Sequence, residues 1–169
     1  MPDARSGNCN GRTQGGSNAE IVIADAFVKG LPNIDYHLAL EAMLKDATIP
    51  PGGNEEAEGR GGLIPYLELG YIPYGIPRAG NRTIEYSYCD YAIALVAKGL
   101  GKTDLYQQYL KQSSNWKNLW RADYEHAGVK GFILPRDKEG NWLDKIPFGN
   151  SHIQKPTFTY TPVTFEGPW

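Results

Sequence analysis

The residue of this chain best suited to acid–base chemistry is Glu166, which lies among aromatic residues close to Trp169. Apolar rings around a carboxyl group exclude water from it, raise its pKa and keep it protonated near neutral pH. A protonated carboxyl group can act as the general acid that cleaves a glycosidic bond, and this reaction needs a second carboxylate to activate water or attack the sugar. We therefore expect Glu166 to be the first member of such a pair, and the chain to end before the second.

Two further carboxylates, Glu85 and Asp90, lie on the strongest predicted helix. Residues five positions apart on a helix point about 140° away from each other. The two side chains therefore cannot face one point, and we do not predict that they form a catalytic pair. We expect one of them to be structural and to hydrogen-bond to a loop, and either one is a candidate for substrate contact.

Composition excludes several classes of function. A net charge of -2 and a pI near 5.9 provide no basic surface for nucleic acid. No apolar run approaches the roughly 18 residues that a membrane span requires. The three histidines and two cysteines lack metal-ligand spacing, so we predict no metal site among them. Cys89 is expected to be a buried thiol, and the sequon that begins at Asn81 is expected at the surface, just before a helix.

The hydrophobic pattern predicts helices separated by long loops, and hence an all-α fold. Ser17 and Glu20 have the spacing of a capping box, and Asp35 is a second predicted N-cap. The predicted helices cover residues 21–28, 35–47, 63–69 and 83–100, followed by one that Thr103 caps. Trp116 and Trp120 are expected on the inner face of the last helix, in the core. Residues 121–169 are predicted to be loop.

Several phrases, in a fixed order, resemble glycoside hydrolase family 92, the exo-acting α-mannosidases. The sharpest is TIEYSYCD, which begins at Thr83. The others are CNGRTQGGSNA from Cys9, ADAFVKG from Ala24, EGR from Glu58, LGYIP from Leu69, SSNWKN from Ser113, GFILPR from Gly131 and FEG from Phe165. The resemblance covers nearly the whole chain, and the first phrase is most similar to fungal members, which are typically secreted.

The resemblance implies that residues 1–169 are an incomplete portion of an (α/α)6 toroid catalytic domain. An N-terminal β-sandwich and the C-terminal part of the toroid would then be absent. It implies calcium-dependent hydrolysis with inversion, which releases mannose from the non-reducing end of α-linked mannosides, with α-1,2 linkages as the expected substrate. The expected partners are mannose-containing glycans of the N-glycan or mannan type, and the calcium ligands are expected mostly outside this segment.

The resemblance also assigns roles to residues. Glu166 matches the general acid, whereas the base would lie in a Gly-Gly-Asn-Asp-type loop that these residues do not contain. The guanidinium groups of Arg12 and Arg60 can hold sugar hydroxyls or fix a carboxylate, so both join Glu85 and Asp90 as candidate substrate-binding residues. The sequence departs from the family pattern at two places. Trp169 is three rather than four positions after the Glu, and Cys89 stands where relatives carry an acidic or amide residue.

The main interpretation is an enzyme, of which the isolated 169-residue segment is expected to be inactive. Two alternatives to this interpretation remain. One is a non-catalytic fragment whose loops bind glycan without cleaving it. The other is an α/α-toroid phosphorylase, which would cleave only in the presence of phosphate. A Gly-Gly-Asn-Asp-type loop elsewhere in the gene would favour the mannosidase.

Overall fold

A computed structural model of the chain describes residues 17–52, 59–76, 78–126 and 128–143. Within these ranges the chain is mostly helical, which confirms the predicted all-α class, and a single β-hairpin follows the helices. The elements are α1 (Ala19–Val28), α2 (Tyr36–Thr48), α3 (Leu63–Leu69), α4 (Ala79–Gly99), α5 (Thr103–Gln112), a 3-10 helix (Asn115–Leu119), β1 (Trp120–His126) and β2 (Val129–Ile133). No helix in the described ranges combines the length and apolar character needed to cross a membrane.

Helix α1 begins differently from the prediction. Its N-cap residue is Asn18, which makes no side-chain capping hydrogen bond. The Ser17 hydroxyl donates instead to Glu20 Oε1, 3.0 Å away. The predicted capping box is therefore wrong, because the Glu20 side chain turns into the protein interior rather than back to the free backbone amides.

The predicted cap of α2 is confirmed. The Asp35 carboxylate accepts hydrogen bonds from the backbone amides of His37 and Leu38, at 3.1 and 3.0 Å. These are two of the amides that a helix leaves without an internal partner, so the contact fixes the start of α2. Helix α3 also has its predicted bounds, and it ends at Gly70, whose φ of 75° suits a glycine.

Helix α4 is the centre of the fold and packs against α1, α2 and α5. It begins at Ala79 rather than at the predicted Thr83, so the sequon lies within its first turns. Thr83 is fully buried, where its hydroxyl donates to Ala79 O and accepts from the Ile72 amide. The surface position predicted for the sequon is therefore wrong at its threonine.

The main core lies where α4 meets its helical neighbours. Met43 from α2 and Ile93 and Val96 from α4 are fully buried there, and Tyr109 from α5 closes one side. A smaller cluster packs α3 and the following loop against the first turns of α4. The two clusters bury the side of α4 that carries Tyr86, Ile93 and Val96. The apolar spacing of α4 predicts a buried stripe of Ile84, Tyr88, Ala92, Leu95 and Val96. This prediction is wrong in part, because Tyr88 is 55% exposed and only Ala92 and Val96 of the five are buried.

The hairpin is the main departure from the prediction of loop after residue 120. Strands β1 and β2 are antiparallel, with Trp120 opposite Ile133 and His126 opposite Val129. The Trp120 ring crosses Gly131 so closely that a Cβ atom at Gly131 would overlap it. Pairing between the two strands, which helical periodicity does not report, decides this part of the structure.

Trp116 and Trp120 were expected in the core, and this prediction is wrong. They are 36% and 43% exposed, and their rings meet edge to face at 6.3 Å. Trp120 belongs to β1 rather than to a continuation of α5, so the four-residue spacing does not place the two rings on one helix face.

Candidate functional site

Within the described residues, a group of buried charged and hydrogen-bonding side chains surrounds the guanidinium group of Arg60. This arginine lies in the loop before α3, and its side chain is 1% exposed. Nη1 lies 2.7 Å from Asp90 Oδ1, and Nε donates to the Ser17 hydroxyl at 3.2 Å. A buried charge is stable only when partners replace its lost hydration, and these contacts begin to supply them.

Three helices each direct one carboxyl group towards Arg60. Beside Asp90 from α4, Glu20 from α1 lies with Oε1 3.5 Å from Nη2, and Asp46 from α2 lies with Oδ2 3.9 Å from Nε. Asp90 is therefore the principal ion partner, and the other two carboxyl groups are at longer range. All three carboxyl groups therefore lie within ion-pair distance of one buried guanidinium group.

Tyrosine side chains complete this site. The Tyr66 hydroxyl donates to Asp90 Oδ2 at 2.8 Å, so each carboxylate oxygen of Asp90 accepts a short hydrogen bond. The Arg60 guanidinium lies 5.1 Å from the centroid of the Tyr86 ring, within cation–π range. We call Ser17, Glu20, Asp46, Arg60, Tyr66, Tyr86 and Asp90 the Arg60 cluster.

Burial sets the protonation of the Arg60 cluster. Desolvation raises the pKa of Glu20 to about 8, with Asp46 adding to this effect and Arg60 opposing it. Desolvation also lowers the pKa of Arg60, but the charge of Asp90 and that of Glu20 outweigh it, so the pKa of this guanidinium lies well above its ordinary value. At neutral pH the Arg60 cluster therefore holds a charged arginine beside a neutral Glu20.

The predicted site residues fall into three groups in the structure. Arg60 and Asp90 are brought together in the Arg60 cluster, 30 positions apart in the chain. Glu85 lies on α4 outside that cluster, partly buried, and desolvation raises its pKa. Arg12 and Glu166 lie outside the described residues. A substrate contact by any of these residues stays a prediction.

Sequence reasoning missed three members of the Arg60 cluster, Asp46, Tyr66 and Tyr86, and it assigned Ser17 and Glu20 to a capping box. A signal for Asp46 was available, since it lies three positions after the buried Met43 and one before the buried Ala47. A carboxylate on the apolar face of a helix needs a partner. Nothing in the sequence alone identifies Arg60 as that partner.

The Arg60 cluster does not fit the calcium ion that the family resemblance implies. Calcium prefers six to eight oxygen ligands, and here the guanidinium already lies among the carboxylates as their cation. The described residues contain no group of three His, Cys, Asp or Glu side chains that could hold a metal ion. We therefore assign no metal ligand in this part of the chain.

A separate aromatic surface lies on the exposed side of α4. A groove of about 330 Å³ lies between α4 and the 3-10 helix, and its rim carries Tyr88, Tyr91 and Trp116. Ile84, Ser87 and Ser113 complete the lining, and the hydroxyls of the two serines donate to the backbone carbonyls of Thr83 and Leu110. Tyr88 is 55% exposed, so its ring is available for contact with a further molecule or chain segment.

Comparison with known proteins assigns the chain to a family. The model of the glycosyl hydrolase family 92 catalytic domain matches residues 1–165. A protein of Arthroderma benhamiae named as an uncharacterized secreted glycosidase is 44% identical, in an alignment that covers 90% of this chain and 22% of that protein.

Two solved structures from Bacteroides thetaiotaomicron have a similar fold. An inverting mannosidase of family GH92 superposes with a TM-score of 0.74 at 33% identity, over 87% of this chain and 19% of its own. An α-mannosidase of the same family, in complex with mannoimidazole, superposes with a TM-score of 0.65 at 32% identity, over 83% and 17%. The chain thus spans about a fifth of the length of these relatives. It belongs to glycosyl hydrolase family 92, and its helices are part of the helical toroid of that family's catalytic domain.

Proposed function

We propose that the protein carrying this chain is a mannosidase-type glycoside hydrolase that removes mannose from the non-reducing end of α-linked mannosides. The observation that carries this proposal is the superposition of the described helices on the inverting mannosidase. The complex of the second relative with mannoimidazole supports a mannose-like group as the one recognised. The proposed substrates are mannose-containing glycans, with α-1,2 linkages first.

The proposed general acid is Glu166, which protonates the oxygen of the leaving group. Inversion requires a second carboxylate on the opposite face of the sugar, roughly 6.5 to 9.5 Å from the first, to activate a water molecule. We propose that this base belongs to a Gly-Gly-Asn-Asp-type loop, a phrase that does not occur among the 169 residues.

The remaining candidate residues divide by their surroundings. We propose Arg12 and Glu85 for direct contact with the sugar. Arg60 and Asp90 are proposed as positioning residues, because the guanidinium and both carboxylate oxygens already bind protein groups. Together they hold the loop before α3 and the start of α1 against α4.

Two further properties are proposed from the family. Calcium would be bound by residues other than those described, and it would contribute by holding sugar hydroxyls. Secretion is supported by the name of the Arthroderma benhamiae relative. Measuring enzyme in culture medium against cell extract tests secretion, and activity before and after chelation with restoration by added calcium tests the metal.

The test of the activity is release of mannose from an α-1,2-mannobioside by the intact protein, with the anomer followed by NMR. Glu166→Gln is expected to lower kcat at least 100-fold, because positioned proton transfer contributes about 10²–10⁴-fold. Glu139→Gln neutralises an exposed carboxylate and should retain wild-type kcat. If the intact protein releases no mannose, the proposed activity is wrong. If the two variants are equally active, Glu166 is not the general acid. The isolated 169-residue chain is expected to be inactive.

The exposed rings of Tyr88 and Trp116 favour one alternative, a glycan-binding protein without hydrolysis. Aromatic faces can stack on sugar rings, whether or not a catalytic pair is present. Calorimetric binding of the mannobioside with no release of mannose by the intact protein would support this alternative. A requirement for phosphate would instead indicate a phosphorylase.

A further inference from the structure

We propose that the Arg60 cluster is a proton-dependent lock, in which Glu20 is a neutral carboxylic acid in the folded protein and its ionisation weakens the packing of α1 against α2 and α4. This inference concerns stability and does not depend on the proposed mannosidase activity. It rests on the arrangement of charges around Arg60 and on the hydrogen bonds of Glu20.

The first argument is the charge count. Asp90 lies 2.7 Å from the guanidinium, whereas Glu20 and Asp46 lie at 3.5 and 3.9 Å. If Glu20 and Asp90 were both ionised, these two buried groups would carry one negative charge in excess of the Arg60 cation that they share. Like charges in a medium of low dielectric constant repel strongly, so one of the two groups is expected to retain its proton.

The second argument identifies Glu20 as that group. Its side chain is fully buried, and Oε2 makes no hydrogen bond to any described residue. Asp90, in contrast, accepts hydrogen bonds on both oxygens. An ionised carboxylate needs donors on each oxygen, so the carboxyl group that lacks them is the one that stays neutral.

The neighbouring titratable groups do not offset this effect. The groups that face Glu20 are Asp46 on α2, Arg60 before α3, Cys89 and Asp90 on α4, and Tyr109 on α5. Burial raises the pKa of Cys89 to about 12 and that of Tyr109 to about 12, so both are neutral near pH 7. Arg60 is therefore the single cation in this set, against Asp46 and Asp90.

The lock acts on the start of α1. The Ser17 hydroxyl donates to Glu20 Oε1 and accepts from Arg60 Nε, and the Ser17 carbonyl accepts from the Cys89 thiol. When Glu20 ionises, its charge repels Asp46 and competes with Asp90 for Arg60. Contacts that attach Ser17 to the loop and to α4 are then weakened together.

The direction of the pH effect follows from the pKa of Glu20, which is about 8 in the folded state and near 4.5 when unfolded. Below the unfolded value both states hold the proton, so the full stability is present. Between the two values only the unfolded state releases the proton, so stability falls as pH rises. Above the folded value both states are ionised and the fall ends.

The experiment measures the Tm of the intact protein from about pH 5 to about pH 9. Wild type is expected to lose several degrees across this range, and Glu20→Gln, which mimics the neutral acid, should lose much less and exceed wild type at the alkaline end. Glu41→Gln removes an exposed carboxylate on α2 and should keep the wild-type profile. Asp46→Asn should reduce the fall, because it removes the repelling neighbour. Parallel profiles for wild type and Glu20→Gln would overturn the proposal.

A second measurement decides the question if Glu20→Gln does not fold. Infrared spectra of protein labelled with 13C at glutamate carboxyl groups should retain a protonated-acid band at about pH 6.5, where exposed glutamates are ionised. The background is the double variant Glu85→Gln and Glu166→Gln, because burial also raises the pKa of Glu85 and because the proposed general acid Glu166 is expected to be protonated as well. A spectrum without that band would contradict the proposed lock.

Discussion

Arg60 and Asp90 are 30 positions apart in the chain, yet their side chains meet at 2.7 Å and each is 1% exposed. The ion pair joins the loop before α3 to the middle of α4. Tyr66 binds the second oxygen of the same carboxylate at 2.8 Å. The hydrogen bonds of Asp90 are made to protein groups in the interior. We therefore expect the loss of this ion pair to lower the free energy of unfolding.

Removal of one partner of this ion pair should be strongly destabilising. Asp90→Asn leaves the Arg60 charge buried without its principal anion, and breaking a buried pair typically costs about 3–5 kcal/mol. Denaturant unfolding of the intact protein measures this loss. Asp25→Asn breaks the exposed pair with Lys29 and should change the free energy of unfolding by less than about 1 kcal/mol. Equal effects of the two variants would contradict the assignment.

Gly99→Ala should destabilise the contact between α4 and α1. A Cβ atom at Gly99 would overlap the Phe27 ring, which packs edge to face against Tyr36 at 4.9 Å and has little room to move. Overpacking costs about 1–3 kcal/mol, which exceeds the roughly 1 kcal/mol that alanine gains in a helix. The change in Tm measures the effect.

Two further variants test whether the overlap at Gly99 causes the loss of stability. Gly52→Ala adds a Cβ atom where nothing lies within 4 Å, so its Tm should stay close to that of wild type. Phe27→Leu in the Gly99→Ala background should recover part of the loss, because it removes the overlapping ring atoms. If the second change adds to the damage instead, the overlap is not the cause.

Arg136→Lys should loosen the loop that follows β2. Arg136 donates from Nε and Nη2 to Gly140 O and from Nη1 to Asn118 O, and its guanidinium lies between the rings of Tyr71 and Trp142. Lysine keeps the positive charge but lacks the planar guanidinium group, whose several N–H donors have a fixed geometry. The expected loss is about 1–3 kcal/mol, with faster exchange of the Tyr74 amide, which binds Arg136 O at 2.7 Å.

The exposed Lys138 provides the control for Arg136, since Lys138→Ala removes a charge from the same loop without removing a ring contact. Its amide exchange rates should match those of wild type. Slow exchange at Tyr74 in Arg136→Lys would show that charge alone maintains the loop, against our expectation.

The Cys89 thiol should be unreactive in the folded protein. Burial raises its pKa to about 12, so almost no thiolate is present near pH 8, and the side chain lies between α4 and Ser17. Reaction with a thiol reagent should therefore be slow in buffer and fast after unfolding in denaturant. Fast reaction of Cys89 in the folded state, measured in a Cys9→Ser background, would contradict this burial.

Several local features could be predicted from the sequence because their causes lie within a few residues. Asp35 caps α2 and Gly70 ends α3 by interactions with adjacent backbone groups. The apolar spacing likewise predicted that residues 83–100 are mostly helical. The ordered family phrases identified the family, since they depend on residue identity and not on folding.

The Arg60 cluster and the hairpin could not be predicted in this way. The members of the cluster are distant in sequence, and the hairpin depends on pairing between two strands rather than on helical spacing within one segment. Glu20 has the spacing of a capping residue, and only the approach of Arg60, 40 positions later, turns its side chain inward. Trp120 has helical spacing from Trp116, but pairing with Ile133 places it in a strand. Local patterns thus determined which segments are helical and how α2 begins and α3 ends, because those interactions lie within a few residues. The start of α4, its buried face and the choice of buried charge partners depend on which segments meet in three dimensions.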